Sequence, residues 1–251
     1  TGSPLAPTGT APFQLTPSGS SDNLILISFS SQGVSVDPTE GFTYTITPQD
    51  TVIITGYTGV FSSVEIPATL EGFPVNAIES WAFQNCSFAN IIIPNSVTDI
   101  GDYAFADCFN LTSITIPDGT TALGEGLFFF CNSLTNITIA DSVDWIGNSA
   151  FGECESLLSI TLPDGITAIA DSTFSGCRAL RSITIPNSVF EIGAYAFGNC
   201  SSLTNITIST NAMLIGDSAF RDCSSLTNIF IPSRVEIIGE DAFMNCSALE
   251  L

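Results

Sequence analysis

The chain has 251 residues, of which 45% are hydrophobic and 12% are charged, so it can bury a sizeable core. Its 25 acidic residues face four arginines, with no lysine and no histidine, and the net charge is −21. Because phosphate binding needs clustered basic side chains, this balance excludes nucleic acid and anionic membranes as partners.

The first part of the chain predicts an arm followed by a cap. Residues 1–21 are rich in Thr, Ser, Gly and Pro, which indicates a flexible linker or arm. Residues 22–63 predict an N-terminal β cap with two short strands at 24–27 and 34–36 and a β-hairpin built from 42–47 and 51–55.

No segment of the chain predicts a membrane span. The longest apolar run, Asn23 to Phe29, is far too short to cross a bilayer. Since the chain lacks an initiator Met and a signal peptide, we expect it to be the processed or excerpted ectodomain of a secreted or surface protein.

Residues 64–251 repeat with a period of 23. The eight cysteines are spaced by 22 residues once and then by 23, and a Phe precedes each of them by three positions. Between successive cysteines come a Leu, an I-x-I segment, often a Pro, and a V-x-x-I-G segment. The Phe residues of this pattern are Phe83, Phe105, Phe128, Phe151, Phe174, Phe197, Phe220 and Phe243.

Each part of the repeat predicts a local structure. The I-x-I segment alternates as a short strand does, and Pro ends it because Pro cannot donate to a ladder. V-x-x-I is a second extended arm, and A-F-x-x-C has the spacing of one helical or 3₁₀ turn. Phe88 is expected to occupy the Leu position of the short first cell. Such coils must stack, because none buries a core alone, and about eight of them are predicted.

The motif L-x-x-I-x-I-P-x-x-V-x-x-I-G-x-x-A-F-x-x-C resembles the BspA-type leucine-rich repeats over residues 64–251. The resemblance implies an α/β repeat solenoid, a right-handed superhelix of short strands and short helical or 3₁₀ turns with an N-terminal β-hairpin cap. It also implies an extracellular or cell-surface protein that acts in adhesion or protein binding. It supplies no catalytic motif, and we expect the chain not to be an enzyme.

The cysteines are predicted to be buried free thiols. Equivalent positions on stacked coils lie one strand spacing apart with parallel Cβ vectors, whereas a disulfide needs Cβ atoms near 3.8 Å that converge. The sequence has no His to complete a Cys–His site, and a 23-residue period gives no close Cys pairs for zinc. We therefore predict neither disulfides nor a metal site, and acidity leaves Ca²⁺ as the one cofactor to consider.

Function is sought in outward residues that depart from the repeat. Apolar side chains replace polar ones before one Cys and in the second arm of later coils, and we expect the latter to form one face. Exposed apolar patches often mark contact surfaces, although a loop or the N-terminal segment would cover them equally well. The interface candidates are Phe129, Phe130, Trp145, Phe190, Met213, Leu214 and Ile237.

The first arm presents a polar face. Its outward threonines form a row, which is by default a solvated strand face and, as a remote alternative, a surface that binds ice or a crystal. The row contains Thr115, Thr138, Thr161, Thr184 and Thr207. Six N-x-S/T sequons are candidates for glycosylation, although repetition alone produces several: Asn85, Asn110, Asn136, Asn199, Asn205 and Asn245.

Two functions remain open at this point. The first is an extracellular module that binds a protein or surface ligand. The alternative is a structural protomer that stacks head to tail into a filament, which the arginines near the C-terminal end and the purely acidic N-terminal part would suit. Acidic pairs such as Glu153 and Glu155 recur at surface positions and are interpreted as a solvated face.

Overall fold

The computed structural model describes residues 40–250 and two short strands before them. These two strands, β1 (Ser28–Ser30) and β2 (Gly33–Ser35), form an antiparallel pair. The predicted strand at 24–27 and the predicted arm at 1–21 lie outside the described residues. Residues 37–251 form one compact unit, and residues 1–36 belong to another.

The larger unit begins with a β-hairpin. Strands β3 (Phe42–Ile46) and β4 (Val52–Tyr57) pair antiparallel across the turn at Pro48 to Asp50, as the alternating residues predict. Strand β4 also pairs in parallel with β7 (Phe73–Ile78) of the first coil. The hairpin sheet thus continues into the second arm of the repeats, and β6 (Thr69–Leu70) lies antiparallel to β7 at its other edge.

About eight coils of two short arms follow, and the repeat solenoid is confirmed. The first arms are β5 (Ser63–Glu65), β8 (Asn90–Ile92), β10 (Ser113–Thr115), β12 (Asn136–Thr138), β15 (Ser182–Thr184), β17 (Asn205–Thr207) and β19 (Asn228–Ile229). The second arms are β7 (Phe73–Ile78), β9 (Asp99–Ile100), β11 (Ala122–Leu123), β13 (Trp145–Ile146), β14 (Ala168–Ile169), β16 (Glu191–Ile192), β18 (Leu214–Ile215) and β20 (Ile237–Ile238).

The predicted helical or 3₁₀ turn is wrong for the described residues, where A-F-x-x-C forms turns without a helix. In every coil the residues two before and two after the ladder Phe have a left-handed φ, for example 55° at Tyr103 and 59° at Asp107. The N–H groups of the Phe and of both left-handed residues donate to the next coil, as in Phe105 N to Leu127 O at 3.0 Å. A right-handed helix would direct those N–H groups along its own axis, so it cannot form here.

One first arm departs from the expected strand. Ser159 to Thr161 belong to no strand, and the first-arm sheet is divided into β5–β8–β10–β12 and β15–β17–β19. In four other coils a Thr opens the arm, and its hydroxyl donates to the preceding coil, as in Thr135 Oγ1 to Thr112 O at 3.1 Å. Leu158 has no hydroxyl at that position, and its N–H lies at 3.4 Å from Thr135 O.

The core consists of ladders that run through the stack. Seven of the eight Phe rings are fully buried, Phe243 is partly buried, and successive rings stack with centroids 5.2 to 5.7 Å apart. Phe88 is 1% exposed, so it fills the Leu position of the short cell as expected. Stability therefore accumulates between neighbouring coils.

Candidate binding surfaces

The cysteine side chains lie on the turn side of the coils, where each thiol donates a hydrogen bond to a backbone carbonyl oxygen. All eight cysteines are free, and seven of them are buried. From Cys108 onward each S–H donates to a Phe carbonyl oxygen of the preceding coil, as in Cys154 Sγ to Phe128 O at 3.2 Å. The sequence predicted a small hydrophobic role and missed this hydrogen bond, because nothing in the residue pattern identifies the acceptor.

Burial makes these thiols unreactive. It raises the pKa of Cys86 and of Cys223 to about 12, in both cases with a smaller contribution from a neighbouring cysteine. Burial also raises the pKa of the fully enclosed Cys177 and Cys200 well above the ordinary value. Because the thiolate is the reactive form, the cysteine ladder is core and not a chemical site.

The apolar side chains of the second arm lie on three successive coils, in two rows. Phe190 and Met213 share the first outward row, since Met213 N donates to Phe190 O at 2.8 Å. Leu214 pairs with Ile237 in the second row. Sequence analysis expected one face, on which equivalent positions of successive coils would bring Phe190, Met213 and Ile237 together; this is corrected, because Ile237 follows Leu214 and Glu236 follows Met213.

These four residues form an exposed apolar patch, here called the second-arm patch (Phe190, Met213, Leu214 and Ile237). Phe190 is 43% exposed, Met213 41% and Ile237 57%, and Leu214 is half-buried. Apart from Trp145, earlier coils have polar or small residues at the same positions, so the patch is confined to the later part of the stack.

The other interface candidates lie apart from the second-arm patch. Trp145 is half exposed and belongs to the same row as Leu214, but Ala168 and Glu191 separate them. Phe129 is half-buried, because its ring lies over Gly152 of the next coil, where a Cβ would come within 2.8 Å. Phe130 is 38% exposed and packs edge-on against Phe129 with ring centroids 4.5 Å apart. Trp145 thus lies apart from the second-arm patch, and Phe129 with Phe130 forms a further position before Cys131.

The polar first-arm face contains the threonine row in two parts. Thr115 pairs with Thr138 and Thr184 pairs with Thr207, whereas Thr161 lies in the one first arm that forms no strand among the described coils. Phe230, 78% exposed, ends the row. The regular array on which ice or crystal binding would depend is therefore interrupted. A shallow depression of about 500 Å³ lies on this face over Asn90, Ser113 and Asn136.

All six sequon asparagines are exposed, but their amides differ in their partners. The Asn110 amide donates to Ser87 O at 3.1 Å, and the Asn245 amide donates to Asp222 Oδ1 at 2.7 Å. Asn136 and Asn205 lie outward on strands of the first arm. Glycosylation at any of the six stays a prediction.

Charged side chains form only surface pairs among the described residues. Arg178 lies 3.5 Å from Glu155, and Arg221 lies 3.4 Å from Asp222, and pairs of this kind contribute little stability. Within the part of the chain that the structure describes, no group of three or more His, Cys, Asp or Glu side chains could hold a metal ion. In the same residues there is no helix long and apolar enough to cross a membrane.

An aromatic pair that sequence analysis did not single out lies on the turn side of the first two coils. The rings of Trp81 and Tyr103 stack with centroids 4.2 Å apart and an interplanar angle of 2°. Both residues precede a ladder Phe by two positions, which is the signal that would have identified them as neighbours.

Comparison with known proteins agrees with this architecture. A family model described as the BspA type leucine rich repeat region, with six copies, matches residues 57–150 and 125–250. No curated protein sequence matches the chain. A leucine rich repeat protein of T. pallidum is 28% identical, with 86% of this chain and 91% of that chain covered and a TM-score of 0.65. A leucine rich cell surface protein of Faecalibacterium prausnitzii is 25% identical, with 88% of each chain covered and a TM-score of 0.39.

Proposed function

Because the chain belongs to the BspA-type leucine-rich repeat family, we propose that it is an extracellular, non-enzymatic module that binds a partner protein. Its fold is a repeat solenoid of the kind seen in the T. pallidum protein. The sequence has neither His nor Lys, and no catalytic step is assigned to it. Adhesion to a cell or matrix surface is the form of binding that the family resemblance favours.

The second-arm patch is the observation that carries this proposal. Phe190, Met213 and Ile237 are exposed and Leu214 is half-buried, so four apolar side chains on three successive coils form one continuous surface. A monomer gains nothing in stability from exposing Phe190 or Met213, whereas a partner that covers them removes apolar surface from water. Glu191 precedes Leu214 in one row and Glu236 follows Met213 in the other, and these acidic residues suit the polar rim of a protein interface.

The hairpin β3–β4 has a supporting role in this proposal. It pairs with the first coil through β4, and we assign it the role of an N-terminal cap. Solenoids need such caps because an open coil would expose its apolar interior.

The experiment is a binding survey with a matched pair of variants. The purified protein is applied to an array of secreted and surface proteins printed beside neutral and anionic oligosaccharides. We expect saturable binding to one or more proteins, and loss of that binding in the double variant Met213→Asp with Leu214→Asp. The control is Thr167→Asp with Ala168→Asp, which adds the same charges at the same two positions two coils earlier.

Either of two outcomes would overturn the proposal. The first is retention by oligosaccharides alone. The second is protein binding that the Met213 and Leu214 double variant leaves unchanged. Both variants must show the unfolding midpoint of the parent chain, so that a loss of binding reports on the surface.

A head-to-tail filament is the second candidate. The arginines, which all lie in the last third of the chain, and the purely acidic part before them would suit stacking between copies. Fibres in negative-stain electron microscopy, with light scattering that grows with concentration, would favour the filament over a discrete binding module.

A further inference from the structure

The stacked pair of Trp81 and Tyr103 has the geometry of a ligand platform. The two rings are parallel within 2°, and Trp81 remains 49% exposed although Tyr103 stacks against it. Part of the indole is therefore exposed to solvent, while the stacked ring of Tyr103 holds it in position from one side.

The backbone holds both rings in place before any ligand arrives. The N–H of Trp81 donates to Asp102 O at 3.0 Å, and that of Tyr103 donates to Glu125 O at 2.8 Å. In the next coil Gly126 leaves room for the tyrosine, because a Cβ there would collide with its ring. Rigid aromatic surfaces of this kind lose little conformational entropy when they bind.

The same position in other coils shows that the fold does not require aromatic residues. Ser149, Ser172 and Ser218 occupy it with φ between 54° and 56°. At Trp81 the φ is 68°, which is unfavourable for a bulky side chain. Two aromatic residues in successive coils, with a glycine after them, therefore need a reason other than folding.

The surroundings of the platform are negatively charged. The Tyr103 hydroxyl donates to Glu125 Oε1 at 2.9 Å. The pKa of Tyr103 is raised by burial, by that hydrogen bond, and by the charges of Glu125 and Asp102. Residues 1–177 contain no Lys, Arg or His, so no basic side chain of this part of the chain competes for the platform.

We propose that the Trp81–Tyr103 platform binds an arginine side chain of a basic protein segment. A guanidinium is planar and stacks on an indole face, and the carboxylates of Asp102 and Glu125 on the Tyr103 side of the pair add negative charge around the site. The net charge of −21 attracts such a segment over a longer range. The site is separate from the second-arm patch, and it extends the proposed protein binding by giving the chemistry of one partner.

Fluorescence of Trp81 tests the platform directly. The variant Trp145→Phe leaves Trp81 as the only tryptophan of the chain, so its emission reports on the site. The probe is a blocked peptide of alternating Gly and Arg. We expect a saturable change in emission, a weaker response to the matching Gly–Lys peptide, and loss of affinity as the salt rises from about 0.01 M to about 1 M.

Calorimetry with the same peptide tests the residues in the otherwise unaltered chain. Trp81→Ser, which installs the residue found in three other coils, should weaken binding by about threefold to tenfold. Glu125→Gln should weaken it by a smaller factor. The matched control is Tyr195→Ser, which removes a 45% exposed tyrosine at the same coil position and should leave the affinity unchanged.

Three outcomes would overturn the proposal. They are no response of Trp81 to the arginine peptide, equal affinity of the parent and Trp81→Ser, and displacement of the peptide by a neutral oligosaccharide such as cellohexaose. The last outcome would assign the platform to carbohydrate. None of the three changes the prediction for the second-arm patch, because its array test uses variants in other coils.

Discussion

The turn side keeps one geometry in all eight coils, whereas the strand arms change from coil to coil. At each of the seven junctions three turn N–H groups donate to the next coil over 2.7 to 3.0 Å. The arms have no such continuity: β12 is unpaired with Ser159 to Thr161, and β13 is unpaired with β14. The difference divides the molecule into a constant frame and a variable surface.

The frame on the turn side stabilises the solenoid, whereas the strand arms carry the surfaces proposed to recognise a partner. The frame has buried Phe stacks, thiols that donate to carbonyl oxygens, and hydrogen bonds at every junction. The arms expose Phe190 and Met213 in one place, Trp145 in another and a threonine row in a third. Substitutions on the frame should therefore change the free energy of unfolding, and those on the arms should change binding.

Alkaline pH should lower the free energy of unfolding more than any other change considered for the frame. Burial raises the thiol pKa values above their ordinary value of 9.0, so the folded chain keeps protons that the unfolded chain loses. Stability is complete below about pH 9 and should fall above it by about 1.4 kcal/mol per pH unit for each fully buried thiol. Urea midpoints from about pH 7 to pH 10.5 measure this.

The control for the alkaline effect is Cys154→Val, which removes one thiol from the ladder. Its stability should fall less steeply with pH than that of the parent chain. A midpoint that stays constant up to about pH 10.5 would contradict the prediction.

Removing one ring from the Phe ladder should have the next largest effect. Phe151 is fully buried between Phe128 and Phe174, with ring centroids at 5.7 and 5.3 Å. Phe151→Ala should lower the free energy of unfolding by about 3–5 kcal/mol, since it leaves a cavity. Phe190→Ala on the second arm should change it by less than about 0.5 kcal/mol. Equal losses in urea denaturation would remove the distinction between frame and surface.

A single hydroxyl should repair part of the interrupted arm. Leu158→Thr supplies the group that Thr135 uses to bond the preceding coil, and Leu158 is already 49% exposed. We expect a gain of about 0.5–1 kcal/mol, and a loss of similar size for Thr135→Val. Thermal unfolding of both variants measures the two changes in stability. A loss of stability in Leu158→Thr would show that the leucine itself supports the coil.

The smallest effect is expected at Phe130. Its φ is 60°, and Asn85, Asn199 and Asn245 occupy the same position in other coils. Phe130→Asn should change the free energy of unfolding by a few tenths of a kcal/mol at most, because asparagine tolerates a left-handed φ and little buried area is lost. A loss above about 1 kcal/mol would place Phe130 in the frame.

Periodicity predicted the frame's residues but not its backbone. The 23-residue spacing indicated the Phe and Cys ladders, the two arms and the role of Phe88, because apolar residues that recur at one position of the repeat predict buried positions. It could not indicate left-handed turns, because residues such as Tyr103 and Ser149 occupy positions where glycine would have been the signal. The A-F-x-x-C spacing suits a helical turn equally well, and the inter-coil hydrogen bonds decide between them.

The candidate surfaces were predicted less completely, for a physical reason. A repeat predicts which residues point outward, but the grouping of Phe190, Leu214 and Ile237 depends on register to within one residue, and one residue moves a side chain to the next row. The Trp81–Tyr103 stack depends on Gly126 in a third coil. Contacts of this kind follow from three-dimensional packing and not from the pattern.

Native-state hydrogen exchange tests the division between frame and arms most directly. Turn amides such as those of Phe105, Phe151 and Phe197 should be the slowest in every coil. Amides of residues 158–169, which include the interrupted first arm and β14, should exchange at least about tenfold faster, since few of them bond to the preceding coil. Equal protection of these two arms and of the turn side would contradict the account.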